Sequence, residues 1–93
     1  MEIKNEEDEK GGNFFMEDNN RRIGLMHYLF AGPHKMIIVH TEVDEAYEGR
    51  GLGMQLVKAG VEYARAHQMK ILARCPFAKK IFEITPAFAD VLV

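Results

Sequence analysis

Cysteine is nearly missing from this chain, with Cys75 the one thiol in 93 residues. A single thiol excludes an internal disulfide and a zinc site built on cysteines, and a reducing, cytoplasmic compartment is the expectation. An excess of positive charge is missing too. The formal net charge is −2, so no general affinity for nucleic acid is expected. No apolar run approaches the roughly 18 residues that a membrane span needs. The acidic start lacks the apolar stretch of a secretory signal, so neither a membrane partner nor a cleaved leader is expected. The histidines show no i, i+4 pair on a helix, and no metal is predicted. There is no internal repeat and no low-complexity tract.

What remains is a chain of ordinary globular composition, 47% hydrophobic, long enough for a single domain over 1–93 with one modest core. Its charge is uneven. Residues 1–20 hold two Lys and seven Asp or Glu, whereas residues 48–93 hold seven Lys or Arg and four Asp or Glu. The acidic start reads as a solvated edge; the basic half suits a polyanionic ligand.

Apolar alternation and turn residues predict the elements. A first strand over 1–6 puts Met1 and Ile3 on one side. A charged, glycine-rich turn over 7–12 leads to a strand at 13–17. After a turn at 18–20, a strand over 22–31 is broken by Gly32-Pro33 and returns antiparallel at 35–43, giving a meander. A helix over 52–67 follows, with Leu56, Val57, Gly60, Val61 and Ala64 on one face. Gly60 costs about 1 kcal/mol there against Ala, which implies close approach to the sheet. The strand at 69–74 completes a βαβ crossover and is therefore parallel to 35–43. Pro76 suits the first turn of a helix at about 77–84. Thr85-Pro86 stops that helix, and Thr85 is placed to cap a last helical turn carrying Phe88.

Between the strand at 36–43 and the long helix lies Glu48-Gly49-Arg50-Gly51-Leu52-Gly53. The first N–H groups of a helix lack intrahelical partners, and the helix dipole adds positive potential there. Glycines before them let a phosphorylated ligand reach the main chain. A nucleotide P-loop would need Lys and then Ser or Thr after the second glycine, and Met54-Gln55 stand there instead. A dinucleotide fingerprint would need a third glycine where Met54 or Leu56 stands, and an acid at the end of the next strand, which closes on Arg74-Cys75.

The segment Glu48-Gly49-Arg50-Gly51-Leu52-Gly53 resembles the acetyl-CoA motif of the GNAT superfamily of N-acetyltransferases, [QR]-x-x-G-x-[GA], with Glu48 departing at the first place. His40-Thr41-Glu42-Val43, Cys75-Pro76-Phe77 and Thr85-Pro86-Ala87-Phe88-Ala89-Asp90 follow in an order similar to that of the minimal single-domain GNAT-like proteins with a Cys-Pro-Phe signature. The resemblance covers about residues 10 to 93. It implies an α/β domain with a truncated GNAT fold: a mainly antiparallel sheet, one parallel βαβ pair and a short C-terminal helix, without the usual N-terminal acceptor-binding helices. It also implies acetyl-CoA as co-substrate, with pantetheine between the two parallel strands, and supplies no acceptor.

Candidate cofactor-binding residues are Val43, whose neighbouring N–H would hold the thioester oxygen, and Arg50, Gly51, Leu52, Gly53 and Met54. Arg50 suits the pyrophosphate. Lys79 and Lys80 suit the adenosine 3′-phosphate or pantetheine, or are simply solvated. Candidate catalytic residues are Cys75, His40 and Glu42. Cys75 at a helix N-terminus has a stabilised thiolate and suits a covalent acetyl carrier; alternatively it packs as a small hydrophobe. His40 and Glu42 lie two apart on one strand face, which they share with Met36 and Ile38. His40 suits a base, or a core histidine with a satisfied hydrogen bond. Glu42 acts through water or is solvated. His27, with Ile23, Leu25 and Leu29, reads as structural. Phe77, Phe82 and Phe88 read as core or groove wall.

The leading function is therefore acetyl transfer from acetyl-CoA to an amine of undefined identity, directly or through Cys75. The rivals are a non-catalytic CoA or acyl-CoA binding module and a surface used for protein interaction alone. Exposed sheet edges leave dimerisation open.

Overall fold

The computed structural model describes residues 2–93. Five strands form one sheet in chain order: β1 (Ile3–Glu7), β2 (Gly11–Asp18), β3 (Arg21–Phe30), β4 (Lys35–Val43) and β5 (Lys70–Ala73). β1 to β4 pair antiparallel, and β5 pairs parallel to β4. The crossover between them is α1 (Leu52–Ala66), and α2 (Pro76–Ile84) follows β5. Short 3-10 turns occupy Glu45–Tyr47 and Pro86–Val91. This is the mixed α/β architecture expected. Met1, expected beside Ile3, lies outside the described residues.

The alternation of each strand decides what is buried. Phe14, Met16, Met26, Tyr28, Met36, Ile38, Ile71 and Ala73 join Leu56, Val57, Val61 and Ala64 of α1 and Ala78, Ile81 and Phe82 of α2 in one core. The alternate set, which includes Leu25, Leu29, Ile37 and Leu72, stays outside that core. Gly60 is used as expected: a Cβ there would meet Met26 Cε at 2.8 Å.

Several local expectations are corrected. Gly11 and Gly12 belong to β2 rather than to the turn, because the neighbouring strands press on them. A Cβ would meet Tyr28 O at 2.2 Å from Gly11 and Glu6 O at 2.1 Å from Gly12. The acidic start is the exposed edge expected, and it is also tied down. Arg22 makes a two-pronged contact with Glu6 at 2.8 and 2.9 Å, and Glu7 accepts hydrogen bonds from Tyr28 at 2.9 Å and Tyr63 at 2.7 Å. Those two phenols tie β1 to β3 and α1. Thr85 makes no side-chain cap; its hydroxyl is buried without a partner.

The largest correction concerns β4. Its pairing with β3 slips between His27↔His40 and Tyr28↔Ile38, so Val39 is an extra residue. One extra residue reverses which side the rest of the strand faces. Met36 and Ile38 are buried, but His40 and Glu42 are exposed on the opposite face, and Thr41 and Val43 turn toward the helices instead. His40 and Glu42 do share a face with each other, but not with Met36 and Ile38. A second slip, after Met16 in β2, likewise places Ile23 in the core and away from the face of His27 and Leu25.

Candidate active site

β4 and β5 part company after a short run. Their pairing ends at Ile38↔Ala73, and Ile38 O then accepts from both Arg74 N at 3.0 Å and Cys75 N at 3.2 Å. Pro76 supplies no N–H and begins α2. Residues 39–43 of β4 therefore have no strand on that side. A cavity of about 590 Å³ fills the gap, and Thr41, Glu42, Val43, Tyr47, Leu52, Gly53, Met54, Phe77 and Ile81 are among the residues that line it.

Its floor near α1 is the glycine turn. Gly49 has φ +81° and Gly51 φ +74°, a left-handed region that Cβ disfavours. Apart from the adjoining residues of the chain, no atom lies within 4 Å of where either Cβ would stand, so the space over the turn is open. The first helical bond of α1 runs from Gln55 N to Gly51 O at 3.2 Å. The N–H groups of Leu52, Gly53 and Met54 consequently donate to no helical carbonyl. Above Gly53 lies the ring of Phe77; a Cβ on Gly53 would stand 2.5 Å from it. Two glycines keep the floor clear and a third seats the wall.

The acidic loop is fastened rather than loose. Asp44 caps its 3-10 turn by accepting from Ala46 N at 2.9 Å, and also holds Arg21 at 2.8 Å. The Tyr47 hydroxyl donates to Asp18, which raises the phenol above its ordinary value. Arg50 lies over the Tyr47 ring, 5.1 Å from its centre. Arg50 is exposed and stands beside the cavity rather than on its wall.

Cys75 occupies the N-cap of α2, as expected, but only 5% of it is exposed. Burial pushes the thiol up. The Ala78 N–H, the Thr41 side chain and the N–H groups of Phe77 and Thr41 push it down, and together they hold it below the ordinary value for cysteine. Thr41 and Phe77 line the cavity whereas Cys75 does not. The Thr41 N–H faces Cys75, so the two-residue strand repeat aims the Val43 N–H into the same gap.

Of the residues singled out in the sequence, Glu42, Val43, Gly51, Leu52, Gly53 and Met54 meet at this cavity. His40 joins them through its Nε2, 3.1 Å from Glu42 Oε2. Lys79 and Lys80 are exposed on α2 and do not reach the lining. His27 takes the structural role expected of it, with Nδ1 2.9 Å from Asn13 Oδ1. Sequence reasoning missed Thr41, Tyr47 and Ile81. An aromatic residue inside an acidic loop was the available signal for Tyr47; nothing in the pattern marked Thr41, because the bulge that turns it inward is silent in sequence. A second groove, of about 480 Å³, lies beside the β1–β2 hairpin and shares no residue with the glycine turn.

Comparison with known proteins agrees with this geometry. A family model described as GCN5-related N-acetyl-transferase matches residues 13–91. A GCN5-like protein of Staphylococcus aureus, solved in solution, is 34% identical with a TM-score of 0.77, covering 99% of this chain and 87% of that one. A GNAT family acetyltransferase from Elizabethkingia anophelis with acetyl-CoA bound shares the fold at TM-score 0.61 and 23% identity, over 69% of this chain and 42% of that one. Protein NATD1 of Mus musculus is 30% identical over 59 residues, 63% of this chain and 54% of that protein. The chain thus spans about half the length of the curated relatives it matches. On a family match that runs from β2 to the last turn, and on the fold shared with the staphylococcal protein, this chain belongs to the GCN5-related N-acetyl-transferase family.

Proposed function

We propose that the chain binds acetyl-CoA in the gap between β4 and β5 and transfers the acetyl group to an amine. The observation that carries the reading is the open cradle over Gly49 and Gly51, which leads into the free N–H groups at the start of α1. Such a cradle fits a pyrophosphate, and the unpartnered edge of β4 fits an extended, amide-bearing chain alongside it. When bound, acetyl-CoA supplies an activated acetyl thioester. The Val43 N–H donates toward the gap. Glu42 lines it with His40 behind, and the pair takes the proton that a reacting amine gives up, directly or through water. Arg50, stacked on Tyr47, offsets phosphate charge at the mouth. Glu48, at the first motif place, adds no such contact.

A second route has its own support. The N–H groups and the hydroxyl around Cys75 favour its thiolate, the form that accepts an acetyl group. Intact-mass measurement after incubation with acetyl-CoA separates the routes: one labile adduct that is lost in Cys75→Ala marks the covalent route, and turnover without an adduct marks direct attack. Calorimetric titration with CoA tests the shared premise. Binding by the wild type and none by a folded Gly51→Val variant is the expected result. Failure of the folded wild type to bind CoA overturns the reading, and binding without turnover on an amine panel leaves a binding module in its place.

A further inference from the structure

One broad side of the sheet is bare. α1 and α2 join the same core, and among the described residues no helix covers the opposite face. That face carries Leu25, Leu29, Ile37 and Leu72, which alternate with core residues, and the bulged Val39. Leu29 and Val39 are each 38% exposed. Phe15, on the same face, is buried because Arg22 lies over its ring, 3.9 Å from the centre.

Charge and shape both change across this face. Glu6, Asp8 and Glu9 lie at its β1 side, in and beside the hairpin to β2. Lys35 and its register partner Lys70 lie at the β5 side. Lys70 Nζ donates to the Asp90 carbonyl at 2.6 Å, which fixes it at that margin without neutralising it. The two charged groups occupy the same end of the strands, since Gly11 pairs with Leu29, Leu29 with Ile37, and Ile37 with Leu72. Along that row the acidic side is hollow: Gly11 and Gly12 leave the groove of about 480 Å³ there. The basic side carries Ile37 and Leu72 instead.

We propose that this face binds a second copy of the chain, the two sheets stacking face to face about a two-fold axis along β3. Such an axis exchanges β1 with β5 and β2 with β4 and keeps each row in place. It lays Ile37 and Leu72 of each copy into the glycine groove of the other, and Lys35 and Lys70 against the acidic hairpin. Leu25 and Leu29 meet their own counterparts. The face is thus complementary to itself, as a closed two-fold contact requires. Its polar side chains are already paired, so covering them strands few groups. His27 Nδ1 lies 2.9 Å from Asn13 Oδ1, and Asn13 donates to Glu6 at 2.8 Å. A standard interface takes about 800 Å² from each partner, about one seventh of the 5595 Å² surface. The molecule measures 35 × 30 × 20 Å; its two layers stack along the short axis, so the bare face is one of the two broad sides and is large enough.

The test is sedimentation equilibrium of the full chain from micromolar to millimolar concentration. The wild type should approach twice its 10.6 kDa. Leu29→Glu sets two carboxylates against each other at the axis and should raise the dimer dissociation constant about a hundredfold, the scale on which apposed like charges act. Its far-ultraviolet dichroism should match the wild type. Lys35→Glu should also weaken the dimer and flatten its dependence on salt. A wild type that stays monomeric to millimolar concentration overturns the proposal and leaves the face to a different partner. A dimer that a folded Leu29→Glu leaves intact also overturns it, because the contact then lies elsewhere, as on the edge of β1. Should Leu29→Glu not fold, Val39→Glu carries the same comparison. None of these measurements uses CoA, and neither Leu29 nor Lys35 lines the acetyl cavity. The proposal therefore stands or falls apart from acetyl transfer.

Discussion

Glu6 shows how much one surface carboxylate can report. Two guanidinium hydrogen bonds from Arg22, and one from Asn13, bring its carboxyl down to about 2 from an ordinary 4.5. A carboxyl lowered on folding contributes stability above its unfolded value and loses it as pH falls through the folded one. Glu6→Gln should therefore melt below the wild type at neutral pH, and the gap should close between about 4.5 and about 2. Melting curves across that range check it, and a gap that persists at the acid end would place the effect in packing rather than charge. At this same scale the reading of sequence succeeds and fails for identifiable reasons. The places of Gly51 and Cys75 at helix starts were legible because glycine turns and prolines mark such starts through local order alone. Thr41 was not, because its orientation depends on Val39, one extra residue in an otherwise regular apolar alternation. Lys80 lies exposed on α2, outside the cavity lining, a placement that the residues around it do not signal.

α1 and α2 meet where Gly53 lies under the Phe77 ring, and this contact sets both a helix packing and a cavity wall. Phe77 is 41% exposed, so its ring can swing aside. Ala at the second position of α1 costs little in helix geometry. Gly53→Ala should accordingly keep the melting temperature within a few degrees of wild type while weakening CoA roughly tenfold, about 1.4 kcal/mol. Paired calorimetry and melting on one preparation separate the two. A large drop in stability with unchanged affinity would make Gly53 a packing residue alone. Elements as such were largely legible, because helix caps, prolines and apolar periods act over few residues. Gly11-Gly12 is the exception: a pair that reads as a turn serves in β2, where a Cβ on Gly11 would run into β3 and one on Gly12 into β1. Such pressure is a property of three strands together, and one strand's sequence does not contain it.

For the whole molecule, the shared core and the cavity are separable in one measurement. A domain of this size has only about 5–15 kcal/mol of stability. Phe88, buried and edge-on to Phe82 at 6.2 Å, closes the core at its C-terminal end, and neither residue lines the cavity. Phe88→Ala should cost about 3–5 kcal/mol, a large part of that total. A ligand that binds only the folded state adds RT ln(1 + [L]/Kd), about 2.7 kcal/mol at a hundredfold excess over Kd. Melting temperature should therefore climb with the logarithm of CoA concentration in the wild type. Phe88→Ala should begin lower and climb alongside it, because its cradle is intact. Gly51→Val should begin slightly lower, from left-handed strain of about 1–2 kcal/mol, and stay flat. A Phe88→Ala line that is also flat would mean that the C-terminal packing holds the cavity open as well as the fold together, and binding would then belong to the whole core rather than to the turn between β4 and α1.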